Sequence, residues 1–112
     1  MNQETLQHGL HLYFYCHVRA RHNNVLVSEW LLEQAKQLGI GGGSVFRASS
    51  GFGRHGVLRE EQFFELADDL PVKVEFLLSE DQANLLLTKV RDANIALVYA
   101  RSPTNFAVLG KA

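Results

Sequence analysis

The sequence predicts an α+β fold in which two helices cover one face of a four-stranded antiparallel sheet. Three observations support this prediction. Segments with an apolar residue at every second position, the period of a strand, occur near both ends and in the middle of the chain. Two segments with helical spacing separate them. The resulting order is strand, helix, strand, strand, helix, strand, which is the ferredoxin-like βαββαβ arrangement.

The first strand is predicted over "GLHLYFYCHV", residues 9–18. Its apolar positions are Leu10, Leu12, Phe14, Cys16 and Val18, and they alternate with His11, Tyr13, Tyr15 and His17. The first helix is predicted over "VSEWLLEQAKQLG", residues 27–39, because apolar residues recur there every three or four positions. Gly39 is suited to the left-handed conformation that ends many helices.

The remaining elements are predicted from the spacing of apolar residues and from residues that begin or end helices and strands. "SVFRAS" (44–49) and "LPVKVEFLL" (70–78) have strand composition, and Ser79 with Gln82 forms a capping-box signature at the start of the second helix. "IALVYA" (95–100) is predicted as the fourth strand. Pro103 is expected to break "RSPTN" (101–105) into a turn, after which "FAVL" (106–109) would add a short edge strand.

Length and composition indicate one globular domain over residues 1–112, with its core at about 9–100 and a loop at about 51–68. The net charge of −1 argues against a general affinity for nucleic acid. No secretory signal or membrane segment is evident, so we expect a cytoplasmic protein. Cys16 is the one cysteine and is expected to be a buried small hydrophobe. No catalytic arrangement of residues can be assigned, so we expect no enzyme activity.

The polar positions of the first strand, His11, Tyr13, Tyr15 and His17, should lie on the sheet face that the helices leave uncovered. Because Tyr and His combine ring area with a polar tip, this row predicts a partner interface. The alternative is an ordinary exposed strand face. The two histidines are roughly 20 Å apart on a strand, so one chain cannot bring both to the same ion. Only three-fold symmetry would gather ligands, and we expect no metal.

The segment "RASSGFGRHGVLRE", residues 47–60, has basic residues and no acidic residue before Glu60. Gly51 and Gly53 beside Arg54 would make an anion cradle from backbone N–H groups and a guanidinium. The alternative is a flexible turn whose charges pair with the acidic residues that follow. A second basic cluster, "RARH" (19–22), precedes the first helix. It would either attract anions or form a solvated loop.

"SVFRASSGFGRHG" followed by "DDLPVKVEFLL" resembles the PII signalling superfamily, in which a strand ends in Gly-Phe-Gly-Arg, a T-loop follows, and Leu-Pro opens the next strand. More specifically, the chain resembles the uncharacterised PII-like family called domain of unknown function 190. The matching positions are Val45, Arg47, Gly51, Phe52, Gly53, Asp69, Leu70 and Pro71. The resemblance extends over roughly residues 9–100.

The resemblance implies a homotrimeric regulator, built around a central axis, that binds an adenine nucleotide between subunits and acts on a partner protein. A membrane transporter or channel is one kind of partner to consider. The ligand-binding residues that it and the loop chemistry suggest are Arg47, Gly51, Phe52, Gly53, Arg54, His55 and Arg59. The alternative is a trimeric metal-handling or structural protein of CutA-like type.

Two departures from the PII pattern refine these expectations. The Gly- and Lys-rich phosphate loop that follows the second helix in PII proteins is absent, because only "DAN" separates Arg91 from Ile95. AMP, ADP or cyclic AMP is therefore expected in preference to ATP. The T-loop is also short, and "REEQFFELA" (59–67) could form a short helix in place of an extended arm.

Overall fold

The computed structural model describes residues 5–52, 58–60 and 70–110, with the backbone only at 51–52 and 58–60. The strands are β1 (Gln7–His17), β2 (Arg21–His22), β3 (Val25–Leu26), β4 (Gly43–Arg47), β5 (Ser50–Phe52), β6 (Leu58–Glu60), β7 (Pro71–Leu78) and β8 (Val98–Phe106). The helices are α1 (Val27–Gln37), between β3 and β4, and α2 (Glu80–Asp92), between β7 and β8.

Four strands form an antiparallel sheet in the order β4-β7-β1-β8. The long strand β1 lies inside this sheet, where Leu12 is opposite Phe76 of β7 and Arg101 of β8. Two smaller ladders join β2 to β3 and β5 to β6. The strand order is that of the ferredoxin-like βαββαβ fold, so the predicted fold class is confirmed.

The core lies between the two helices and one face of the sheet, because alternate residues of β1 and β7 point the same way. Leu12 and Phe14 of β1 are fully buried, as are Val74 of β7 and Leu86 of α2. Each such side chain contributes about 1.5–3 kcal/mol through burial. The core cluster comprises Leu10, Leu12, Phe14, Cys16, Val27, Leu31, Ala35, Ile40, Val72, Val74, Phe76, Leu78, Ala83, Leu86, Leu87 and Val90.

The ends of the helices follow the local sequence. Gly39 has φ +77° just after α1, as the prediction of a left-handed glycine requires. At the start of α2, Ser79 Oγ accepts a hydrogen bond from Gln82 N, and Gln82 Oε1 accepts one from Ser79 N, both at 3.1 Å. The predicted capping box is therefore present. Asn94 takes the left-handed conformation, with φ 56°, just after α2.

The predicted turn at Pro103 is wrong, since β8 continues through it to Phe106. Pro103 is opposite Leu10 on a strand at the edge of the sheet. An edge strand has N–H positions that need no partner, so proline is tolerated there. The additional strand expected over "FAVL" is not formed: Phe106 belongs to β8, and residues 107–109 have no regular structure.

The sequence around the small ladders also folds differently from expectation. "RARH" is not a loop, because Arg21 and His22 form β2 and turn into β3 through Asn23 and Asn24. The short helix expected over residues 59–67 is wrong at its start, where Arg59 lies in β6. Residues 61–67 lie outside the described part of the chain.

Candidate functional site

Several chain ends meet at one end of the four-stranded sheet. The antiparallel register places His17, at the end of β1, opposite Pro71, at the start of β7. On the other side of β1, Tyr15 is opposite Val98, the first residue of β8. Arg47, the last residue of β4, is opposite Val72. The connections that leave β1 and β4 and those that enter β7 and β8 therefore lie at the same end of the sheet. Two of them carry the basic cluster (19–22) and the glycine motif (51–56) of the sequence.

A cavity of about 720 Å³ opens at this end of the sheet. We call it the end cavity. Its walls come from β1, the β2–β3 hairpin, the first residue of β7 and the connection from α2 to β8. The lining residues are Tyr15, Cys16, His17, Ala20, Arg21, His22, Val27, Pro71, Asn94, Ile95, Ala96, Leu97 and Val98. The volume and the mostly apolar lining with a few polar groups are typical of small-molecule sites.

The glycine motif starts at the border of the end cavity. Ala48 N donates a hydrogen bond of 3.0 Å to the carbonyl oxygen of Pro71, a residue of the cavity wall. The chain then enters β5, which pairs with β6 so that Gly51 is opposite Arg59 and Phe52 is opposite Leu58. The segment predicted to recognise an anion is therefore a two-stranded hairpin where the structure describes it, and it leaves the sheet beside the cavity.

The predicted ligand residues are placed in part. Arg47 ends β4, and it makes interactions of its own. Gly51 and Arg59 face each other across the β5–β6 ladder, and Phe52 follows Gly51. The predicted residues Gly53, Arg54 and His55 lie outside the described part of the chain.

The β2–β3 hairpin contributes Arg21 and His22 to the wall of the end cavity. Arg21 Nη1 donates a hydrogen bond of 3.0 Å to the carbonyl oxygen of Asn24. The His22 ring packs edge-on against Trp30 of α1, with 5.5 Å between the ring centroids. From sequence, Arg21 and His22 are recognisable as part of a basic cluster, but the hairpin and its place at the cavity are not predicted. The dipeptide Asn23-Asn24, which favours left-handed turns, was the signal for the hairpin.

The sheet face opposite the helices, which we call the open face, carries the predicted aromatic row. The ring centroids of His11 and Tyr13 are 4.9 Å apart, and those of Tyr13 and Tyr15 are 5.7 Å apart. His17 completes the row and is exposed. Tyr15 and His17 also line the end cavity, so the two features share residues. The sequence pattern predicts an interface role for Tyr15 and His17 and does not indicate that they line a ligand site.

A charged group lies beside the aromatic row. Glu75 Oε2 is 3.0 Å from His11 Nε2 and 3.3 Å from Lys73 Nζ. The Lys73 ammonium also lies 5.8 Å from the Tyr13 ring centroid and 5.2 Å from that of Phe46. The hydrogen bond from His11 is the main cause that holds the pKa of the Glu75 carboxyl below its usual value; desolvation opposes it, and the hydrogen bond and charge of Lys73 lower the pKa further.

Neither a metal centre nor a thiol nucleophile is supported by the described residues. Within the ranges 5–52, 58–60 and 70–110, no three His, Cys, Asp or Glu residues gather in a way that could hold an ion. Burial raises the pKa of the Cys16 thiol to about 11, so the thiol stays protonated near neutral pH. Neither helix among the described residues is long and apolar enough to cross a membrane.

Comparison with known proteins identifies the family. The sequence profile of DUF190, described as "Uncharacterized ACR", matches residues 9–99. A UPF0166 protein from Aquifex aeolicus (strain VF5) is 34% identical over 70 residues, which cover 62% of this chain and 67% of the relative. The match to the profile begins within β1 and ends at the second residue of β8, so it covers most of the fold.

Solved structures with a similar fold are PII-like proteins. CPII, a nitrogen regulatory PII-like protein from Thiomonas intermedia solved with ADP, AMP and bicarbonate, has a TM-score of 0.64 at 19% identity, over 93% of this chain and 92% of CPII. A protein from Thermus thermophilus, described as PII-like in signalling, has a TM-score of 0.60 at 16% identity over 90% of each chain. From the profile match and these folds together, the chain belongs to the DUF190 family and has a PII-like fold.

Proposed function

We propose that the protein is a homotrimeric PII-like regulator that binds an adenine mono- or diphosphate at the clefts between its subunits. The observation that carries this proposal is the end cavity, a mostly apolar pocket with one arginine, Arg21, in its wall, beside the glycine-containing β5–β6 hairpin. An adenine base has planar apolar faces, and a phosphate needs N–H donors and positive charge. The apolar lining of the end cavity and the guanidinium of Arg21 support a ligand of this class.

The open face supports assembly into a trimer. Its aromatic row is half-exposed in one chain, and the two helices pack on the opposite side of the sheet. A second copy packed on this face would cover the rings. Because Tyr15 and His17 belong to both the open face and the end cavity, the same contact would also close one side of the cavity. The affinity for a ligand in the end cavity would then depend on assembly of the subunits.

The nucleotide class is supported by a protein of the same fold. One structure of CPII has ADP, AMP and bicarbonate bound, and another has ADP and bicarbonate bound. For the present chain, the short α2–β8 connection brings no lysine or arginine to the cavity wall. Fewer phosphates can therefore be neutralised there, which favours AMP, ADP or cyclic AMP over ATP.

The proposed role is regulatory rather than catalytic. Ligand binding would change the segment that follows Phe52, and with it the docking of a partner protein, such as a membrane transporter or channel. A cytoplasmic location fits this role. The alternative is a CutA-like trimer that handles metal or is structural. For the metal-handling form, we expect the protein to bind a metal ion in titration, to lose that binding when His11 or His17 is replaced, and to bind no nucleotide.

Calorimetry with AMP, ADP, cyclic AMP and ATP tests the proposal. Wild-type protein should bind AMP or ADP below millimolar concentration, and Arg54→Ala should weaken binding by about 1.5–3 kcal/mol, the range for a charge-assisted hydrogen bond. Arg91→Ala is a matched control, because Arg91 is exposed on α2 and is not part of the end cavity. The proposal is wrong if no nucleotide binds, or if Arg54→Ala binds as tightly as Arg91→Ala.

A further inference from the structure

The β2–β3 hairpin is a rigid support for one cationic side chain. His22 pairs with Val25 across a two-residue turn in which Asn23 and Asn24 have φ of 50° and 67°. Two consecutive left-handed residues are the signature of a type I′ turn, the tightest connection between two strands. The Arg21 hydrogen bond to Asn24 adds a link across the turn.

The hairpin is also tied to the helical layer. Val27 N donates a hydrogen bond of 2.8 Å to the carbonyl oxygen of Ala20, and the His22 ring packs against Trp30. Val27 is a buried core residue, so this contact anchors the hairpin to the start of α1. The backbone position of Arg21 is therefore set by the β2–β3 ladder and by the start of α1.

Arg21 lines the end cavity in a wall that has no negative charge. Among the described residues of that wall there is no Asp or Glu, and Arg21 is the one Lys or Arg side chain. A guanidinium has five N–H donors. One hydrogen bond from Arg21, to Asn24, is present among the described residues, and no described carboxylate forms an ion pair with it. The group retains donors for an anion in the cavity.

We propose that Arg21 is a phosphate-binding residue of the end cavity and a determinant of ligand charge. This inference rests on the proposed nucleotide-binding function. The α2–β8 connection contributes Asn94, Ile95, Ala96 and Leu97 to the cavity, none of which is a cation. The β2–β3 hairpin, which forms another part of the cavity wall, supplies the positive charge instead, and this selects a ligand with a small anionic group attached to an apolar, planar body.

The test measures ADP and AMP binding by calorimetry in wild type, Arg21→Gln, Arg21→Lys and Arg19→Gln. Glutamine keeps a donor for the Asn24 carbonyl but removes the charge, and lysine keeps the charge. Arg19 is the matched control, since it is an exposed arginine two residues earlier that does not line the cavity. Emission from Trp30, the one tryptophan of the chain, reports whether the hairpin still packs on α1.

We expect Arg21→Gln to weaken ADP binding roughly tenfold to hundredfold with unchanged Trp30 emission, Arg21→Lys to recover part of the loss, and Arg19→Gln to bind like wild type. Equal affinities for Arg21→Gln and Arg19→Gln would overturn the inference while leaving the proposed function intact. Equal losses in Arg21→Gln and Arg21→Lys would also overturn it, because the charge would then be irrelevant. If wild type binds neither nucleotide, the proposed function fails and this inference fails with it.

Discussion

The two faces of the four-stranded sheet are built from the same strands but differ in what covers them. On the helix-covered face, Leu12 and Phe14 pack fully buried against side chains of the same chain. Among the described residues, no polar or charged side chain is buried there or anywhere else. On the open face, the rings of Tyr13 and Tyr15 pack edge to face beside an ion pair between Lys73 and Glu75 and remain partly exposed.

The exposed fraction of a single tyrosine does not show which face of the sheet it belongs to. Tyr15 on the open face and Tyr99 on the opposite face have nearly the same exposed fraction, 42% and 43%. Tyr99 lies 6.2 Å from Phe14 between ring centroids and so contacts the core, whereas Tyr15 continues a row of rings. A continuous row of half-exposed rings indicates a surface that another molecule can cover.

The largest expected effect comes from placing charge in the aromatic row. We expect Tyr13→Glu combined with Tyr15→Glu to convert the proposed trimer into a monomer at micromolar concentration, because each copy would bring two new carboxylates into an interface. Light scattering gives the mass, and circular dichroism checks the fold. Tyr15→Glu alone should weaken assembly in the same direction but by less, since its partner across the strands is Lys73.

Tyr99→Glu is the matched control for this experiment. It changes the same residue type, with the same exposed fraction, on the other face of the sheet. It should leave the mass unchanged. A wild-type monomer at micromolar concentration would contradict the trimer, and a trimer that tolerates both Tyr13→Glu and Tyr15→Glu would show that another face forms the contact.

An intermediate effect is expected from the buried face. Leu12→Ala should lower the free energy of unfolding by about 2–5 kcal/mol, because the side chain is fully buried and its removal leaves a cavity. Denaturant unfolding measures the loss. Tyr15→Ala should reduce stability only at protein concentrations where copies associate. If Leu12→Ala and Tyr15→Ala lowered the free energy of unfolding equally at every protein concentration, the open face would have to be covered within one chain.

The smallest effect concerns the charges of the open face. Because the pKa of Glu75 is lowered chiefly by the hydrogen bond from His11, His11→Ala should raise this pKa toward its ordinary value. A lowered carboxyl pKa stabilises the fold above the unfolded-state pKa, and this contribution disappears as pH falls through the folded-state pKa. The variant should therefore lose stability at neutral pH and depend less on pH in the acid range.

Carboxyl NMR titration of Glu75 measures this shift directly. His8→Ala is the control, since His8 is hydrogen-bonded to Asn105 at 2.7 Å and not to Glu75. A Glu75 pKa that is equally low in wild type and in His11→Ala would assign the shift to Lys73 instead.

Features that depend on neighbouring residues were predictable from sequence. The capping box of Ser79 and Gln82 and the left-handed Gly39 involve residues within one turn of a helix, so local composition determines them. The alternation in β1 likewise predicted which side chains enter the core. Pro103 was misjudged because its tolerance depends on β8 being an edge strand, which no local pattern reveals.

The sequence by itself determined the order of the four main strands and the two helices, and the two faces of β1. Periodicity and turn chemistry act within a few residues, so they can be read along the chain. Only the tertiary structure decided that Arg21, Pro71 and Leu97 line one cavity at the end of the sheet. These residues come from separate elements, and only the antiparallel register, which aligns the ends of β1, β7 and β8, brings them together.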